Sequence, residues 1–354
     1  YEILIGLVGS EMCIRDRIGA TRATMGTRLN NEAINDDWSP MSALPPRTGQ
    51  QFSISHGDYT AVIAQLGATL RVFRYQGDDV TVSTGPDDVV TCCVGRVLVP
   101  FPNRLEHGSY DFDGAHYQLP INEPERDNAI HGFGMNYYWQ LERLTEDSVT
   151  LSWRVPLTEG YPFSLQVFIT YTLSNSGMRI DCDAVNNGDG PAPWAMAVHP
   201  WFSNGEDAHG NAIDAVTSRC SVQIPANTHV LTNGNLIPTG TEPVDGTKFD
   251  FRTAALLDRQ PYDDALTDLT HAADGTVTAV FTRPDGRQVA IIGDESITSF
   301  QVCTGTGFPE AIHPTGVAVE PQTAYANTFR TGIDLIEIAP GDTAHTTIRY
   351  QVLQ

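Results

Sequence analysis

From about Gln50 to the C-terminus, apolar and polar residues alternate in short runs cut by turn residues. A period of two sends successive side chains to opposite faces and predicts β-strands. Residues 51–75, QFSISHGDYTAVIAQLGATLRVFRY, read as strand, His-Gly-Asp turn, strand, Leu-Gly-Ala break and strand, and another turn follows at Gly77–Asp79. YDFDGAHYQL (110–119) predicts a hairpin turning at Asp113–Gly114. SVTLSWRVP, SLQVFITYTLS and GMRIDCDAVNN continue the alternation. Residues 276–293 predict a second hairpin around Pro-Asp-Gly, and TAHTTIRYQVL closes the chain as a last strand. Helical spacing is confined to short pieces near 253–260 and 262–269.

Roughly twenty strands at spacings of about 8–12 residues, with almost no helix, predict an all-β fold. The expected form is a single large, curved antiparallel β-sandwich. No Pro/Ser/Gly-rich linker divides residues 50–354 and no internal period recurs, so 49–354 is expected to be one domain. Residues 1–17, YEILIGLVGSEMCIRDR, join no periodic element, and VGSEMCIRDR resembles a translated sequencing adapter; this stretch is expected to be non-native. Residues 18–48 are polar, with Asn, Asp and Pro, and predict a disordered leader with a native start at Met25 or Met41. The sequence has no run of about 18 apolar residues, so no membrane span is expected.

Charge narrows the partners. Asp and Glu number 43 against 21 Lys and Arg, a formal net charge of −22, and Lys248 is the one lysine. Such a surface repels phosphate backbones and argues against nucleic acid, while favouring solubility. The six cysteines, Cys13, Cys92, Cys93, Cys182, Cys220 and Cys303, show no CxxC spacing. Free, mostly buried thiols in a reducing, cytoplasmic setting are expected. On a strand, Cys92 and Cys93 would face opposite ways and form no metal pair.

Five stretches carry candidate chemistry. WAMAVHPWF (194–202) ends an apolar run in His199, with Pro200 fixing the loop and Trp194, Trp201 and Phe202 able to floor a sugar ring. About 120 residues later, GVAVEPQT (316–323) ends a similar run in Glu320, which is costly to bury without a partner. A histidine and a carboxylate at two strand ends are what acid–base chemistry needs. A packed core histidine and a solvent-facing glutamate are the plain alternatives. PFPNRLEHG (100–108) offers the planar fork of Arg104 and the donor and acceptor of Asn103. NAIHGFG (128–134) sets His131 beside glycines that admit close backbone approach to a ligand. PYDDALTDL (261–269) carries Asp263 and Asp264, which fit sugar hydroxyls or a helix N-terminus equally.

Taken in order, GR (95–96), NRL (103–105), GxYxFDG (108–114), HGF (131–133), HPWF (199–202), YDD (262–264), FQVCTG (300–305), VAVEPQT (317–323) and APGD (339–342) resemble the aldose 1-epimerase (galactose mutarotase-like) family. The resemblance spans about residues 50–354. It implies a galactose mutarotase-like supersandwich that interconverts the α and β anomers of a sugar without a cofactor or metal. By position it implies Glu320 as the base at the C1 hydroxyl and His199 as the acid at the ring oxygen. Arg104, His131 and Asp263, with Asn103 beside them, match substrate-contacting positions, and Trp201 is a packing surface. A neighbouring carboxylate is expected to raise the His199 pKa. The six residues VLVPFP between Arg96 and Asn103, where many members have two, depart from the pattern, as do Cys303 in place of a frequent tyrosine and HPWF in place of NHSYF. These leave the sugar open.

A free hexose is the expected substrate of a monomer or homodimer with no membrane or nucleic-acid partner. A hexose-6-phosphate epimerase would need extra Arg or Lys near C6, and a non-catalytic sugar binder would need neither acid nor base. A glycoside hydrolase would need two opposed carboxylates.

Overall fold

The alternation at 165–186 becomes two long paired strands, Leu165–Ser174 and Gly177–Asn186, in which every second side chain is buried. Leu165, Val167, Ile169, Tyr171 and Leu173 point inward, which is what a half-buried sheet demands. The structure is a computed structural model, and it describes residues 45–206, 211–258 and 260–353, without the side chains of residues 211 and 212. The proposed non-native segment 1–17 lies outside these residues, as does most of the expected leader. The leader's last residues, 45–48, are placed, and Thr48 is buried with its hydroxyl donating to the Pro86 carbonyl.

Two large antiparallel sheets share one core. The nine-stranded sheet runs in the order 140–144, 148–154, 165–174, 177–186, 343–353, 288–293, 277–282, 221–223, 255–256. The eight-stranded sheet runs 238–243, 226–232, 263–269, 299–303, 316–322, 197–199, 96–98, and Trp201–Ser203 also pairs with Gly316–Gln322. A four-stranded sheet, 51–56, 59–64, 69–75 and 78–79, packs into the same core. Ile169, Phe73, Phe300 and Val319 belong to one buried cluster, so the three sheets close on each other. None of the helices among the described residues is long and apolar enough to cross a membrane.

Both expected hairpins form: Ser109–Phe112 pairs with Ala115–Gln118, and Val277–Thr282 with Gln288–Gly293. Asp113 and Gly114 both hold positive φ, 48° and 75°, as a two-residue hairpin turn requires. The expected helical pieces do not form. Asp263–Leu269 is a strand and Ala255–Leu256 a two-residue strand. In the first, the zipper with Ser299–Cys303 overrides a weak three-to-four spacing, sending Asp263 and Ala265 to one face and Asp264 and Leu266 to the other. The α-helices among the described residues, Asn211–Thr217 and Thr328–Thr331, carry no amphipathic period long enough to read. The strands named among the described residues number 27, more than expected, because many are two or three residues long.

Candidate active site

The site is a row of side chains on one face of the eight-stranded sheet. Antiparallel partners share a face, and residues two apart on a strand share it too. Asp263 pairs with Cys303, Cys303 with Ala318, and Ala318 with Trp201. One step along, Gln301 pairs with Glu320. The Glu320 strand is buried on both faces, from Gly316 through Gln322. Glu320 is therefore inside its strand, which continues through Pro321, and not at a strand end as the sequence suggested. Pro200 does interrupt pairing after His199. The register resumes unchanged, since Ala197 opposes Gln322 and Trp201 opposes Ala318.

The second wall is the short pair Arg104–Glu106 and Asn128–Ile130. Asn103 and His131 flank it, each with φ near +60°, a region asparagine and histidine enter more readily than most residues. Each holds the other: the His131 N–H donates to the Asn103 carbonyl at 2.9 Å, and the Asn103 N–H donates to His131 Nδ1 at 3.1 Å. A ring nitrogen that accepts has no proton, so neutral His131 carries its proton on Nε2. Burial, followed by the nearby His199 and Arg104, holds His131 well below the usual histidine pKa.

Between these walls lies a cavity of about 450 Å³, lined by all seven sequence-selected residues: Asn103, Arg104, His131, His199, Trp201, Asp263 and Glu320. Small-molecule sites have this size and mixed lining. His199 Nε2 and Glu320 Oε1 stand 3.3 Å apart, and both residues are buried. Burial, then the charge of Asp263, pushes the Glu320 carboxyl well above the usual range. Burial likewise lowers the imidazole of His199 to about 3. The expectation that the carboxylate would raise the His199 pKa is thus reversed, because loss of solvent dominates. Both shifts favour the uncharged forms, the imidazole without and the carboxyl with the shared proton.

Asp263 faces the cavity and accepts from Gln301 Nε2 at 2.7 Å, with Arg104 Nη1 at 3.7 Å. Asp264 turns to the other face of its strand and meets His229 Nε2 at 3.1 Å, so it is not a cavity residue. Arg104 spends one edge of its guanidinium on Glu123, through Nε and Nη2 at about 3 Å, and both side chains are nearly buried. The Trp201 ring stacks beside His199, centroids 6.0 Å apart, and its indole N–H donates to the Cys92 carbonyl. Trp194 and Phe202 pack in the main core, so they do not floor the cavity. Cys92 and Cys93 sit on a turn at positive φ rather than a strand, and both line the cavity. The described cysteines are free, and Cys182, Cys220 and Cys303 are buried.

Gly132 serves the backbone, not a ligand. A Cβ on it would stand 2.2 Å from the Val99 carbonyl oxygen, and its φ is +60°. Gly132→Ala is expected to destabilise the fold by about 3 kcal/mol. A thermal melt within a degree of wild type would refute that.

Two contributing residues escaped the sequence. Glu123 anchors Arg104, Arg126 and Asn128, yet its sequence context, INEPE, reads as a turn with an acidic helix start. Gln301 bridges Asn103 Nδ2 and Asp263. Its signal was available, because an amide inside the apolar run Phe300–Cys303 must find buried partners.

Fold and cavity together define a large antiparallel sandwich of the galactose mutarotase-like kind. The chain belongs to the aldose 1-epimerase family, whose model matches residues 50–351. The uncharacterized protein YihR of Escherichia coli K12 is 30% identical over 295 residues, 83% of this chain and 90% of that protein. Human galactose mutarotase is 30% identical over 216 residues, 55% of this chain and 60% of its own length. Among solved structures, the GalM/aldose epimerase homologue of C. elegans superposes with a TM-score of 0.74 at 20% identity, covering 86% of this chain and 99% of that one. Galactose 1-epimerase of Lactobacillus acidophilus NCFM gives 0.71 at 18% identity, with 85% and 93% covered. At these identities the structural likeness speaks for the fold.

Proposed function

We propose that this chain is an aldose 1-epimerase that interconverts the α and β anomers of a free hexose. The observation that carries the reading is the buried His199–Glu320 pair, 3.3 Å apart in the cavity. Mutarotation needs one base, one acid and a single shuttled proton. Transfer of that proton from Glu320 Oε1 to His199 Nε2 gives the carboxylate and imidazolium the reaction uses. Glu320 takes the proton of the C1 hydroxyl while His199 protonates the ring oxygen, so the C1–ring oxygen bond breaks. The C1–C2 bond rotates, and closure on the other face returns both protons.

The remaining cavity groups suit hydroxyls. His131 Nε2–H and the free edge of Arg104 donate, Asp263 accepts, and Asn103 and Gln301 can do both. The side of Trp201 gives an apolar wall. Arg104 and Arg126, the arginines of the cavity, are both held by carboxylates, Arg104 by Glu123 and Arg126 by Glu123 and Glu125. This favours a neutral sugar over a phosphorylated one. The human relative named galactose mutarotase supports a hexose. The free thiols support a reducing, cytoplasmic setting.

Polarimetry of freshly dissolved α-D-glucose and α-D-galactose tests the reading. The protein is expected to speed the approach to equilibrium, and no acceleration with either sugar would sink it. The rate should be flat between the lowered His199 pKa and the raised Glu320 pKa, where the pair shares one proton. It should fall toward acid as His199 binds a second proton, and toward alkali as Glu320 loses its own. Anomer exchange of glucose 6-phosphate, followed by NMR, should be slower than that of glucose.

A further inference from the structure

We infer that His229 is a positioning residue for Asp263: clamped between two carboxylates behind the cavity wall, it holds the strand that presents Asp263 to the sugar. The inference rests on the proposed mutarotase reading and extends it beyond the residues that line the cavity.

His229 lies on the strand Ala226–Thr232 and is buried. Its Nδ1 stands 3.0 Å from Glu242 Oε1, on Pro238–Pro243, and its Nε2 stands 3.1 Å from Asp264 Oδ1, on Asp263–Leu269. Carboxylates only accept hydrogen bonds, so a ring that satisfies both must donate from both nitrogens and is an imidazolium. Its face stacks on Phe249, centroids 3.5 Å apart. The ammonium of Lys248 lies 4.9 Å from that ring and 4.8 Å from the ring of Tyr262. Among the described residues, Asp264 and Glu242 are the charged groups in contact with His229, and Lys248 and Tyr262 pack around its Phe249 neighbour.

The backbone explains why a clamp matters here. The strand Ala226–Thr232 pairs with Asp263–Leu269 at Ala226–Leu269, Thr228–Thr267 and His229–Leu266, and the ladder goes no further. Asp263, Asp264 and Ala265 are paired only on the other side, with Cys303, Val302 and Gln301. The His229–Asp264 bond bridges the gap where backbone pairing has stopped. Asp264 Oδ2 in turn accepts the N–H of Asp263 at 3.1 Å. A chain of two hydrogen bonds thus runs from His229 to the backbone of Asp263, whose carboxylate faces the cavity. Burial alone would lower the His229 pKa, but the bonds to Asp264 and Glu242 more than offset it and hold it above the usual value. The clamp is therefore complete while the ring is protonated and opens as the pH rises through that elevated pKa.

The test is kcat and KM for galactose across pH, by polarimetry, with the wild type, His229→Gln and Glu242→Gln. For His229→Gln, KM is expected to rise about tenfold with kcat within about twofold, since one charge-assisted contact to substrate is loosened while His199 and Glu320 are untouched. In the wild type, KM should stay flat at neutral pH and rise on the alkaline side. Glu242→Gln removes one of the two carboxylates and should move that rise to lower pH, a shift that a merely structural histidine would not produce. The 15N shifts of the His229 ring should report two protonated nitrogens at neutral pH in the wild type. A folded His229→Gln variant with wild-type KM overturns the inference. So does an unmoved KM profile in Glu242→Gln, which decides the matter if His229→Gln does not fold. A wild type inactive on the hexoses sinks the mutarotase reading and this inference with it, whereas an active wild type with unmoved KM sinks the inference alone.

Discussion

Glu320→Gln should lower kcat by about a hundredfold to ten-thousandfold, the range that a positioned acid or base supplies. Gln keeps the shape of the side chain and can still meet Gln322 Nε2, which lies 3.4 Å from Glu320 Oε2. It cannot take the proton of the C1 hydroxyl. Stability should move the other way. Burial raises the Glu320 pKa, and a carboxyl whose pKa is higher in the folded chain works against folding above its unfolded pKa. A neutral amide escapes that penalty, so the variant should melt at or above the wild-type temperature at pH 7. An inactive variant with a higher melting temperature is the signature of a strained catalytic group. A fully active variant would remove Glu320 from its role as base.

Arg104→Met should combine two losses. The methionine fills the space of the stem but leaves Glu123 buried, with Arg126 and Asn128 as its remaining partners. Breaking a buried ion pair from one side costs about 3 kcal/mol or more. KM for a hexose should rise about tenfold or more, because the free edge of the guanidinium is lost from the cavity. The stability loss should depend on pH. Burial would push the Glu123 pKa up, yet the hydrogen bonds from Arg104 and Asn128 and the charges of Arg104 and Arg126 hold it below the usual carboxylate range. A depressed pKa stabilises the fold above the unfolded value, and this is lost as pH falls through the folded one. Urea unfolding should therefore separate the two proteins most at neutral pH and bring them together toward acid. A separation that stays constant with pH would rule out the Arg104–Glu123 pair as its source.

Where a strand has one wet face, the sequence announces it, as at 165–186 and in the hairpin at Asp113–Gly114. The strands that carry the site are the opposite case. Ser299–Cys303 and Gly316–Gln322 are buried on both faces, so alternation disappears and what remains is a largely apolar run broken by a polar residue inside it. That break drew attention to Glu320 but passed over Gln301. His199, Arg104, Asn103, His131 and Asp263 were reached through short motifs in order, and they meet in one cavity. The choice between Asp263 and Asp264 needed the strand, because alternation sends neighbours to opposite faces. Trp194 and Trp201 look alike in WAMAVHPWF, and only the packing distinguishes core from cavity. Glu123 and His229 were invisible because each gains its meaning only from side chains that folding brings against it.

The two walls of the cavity draw on segments far apart in the chain. The bond from Asn103 to Gln301 alone closes a loop of 198 residues. Contacts that distant form late, because the entropy of closing the intervening chain must be overcome first. Hairpins can form early and locally, whereas His199 and Glu320 come together only through the long-range pairing of their strands. On the proposed mutarotase reading, a chain whose long-range strands have not yet paired is expected to show no activity.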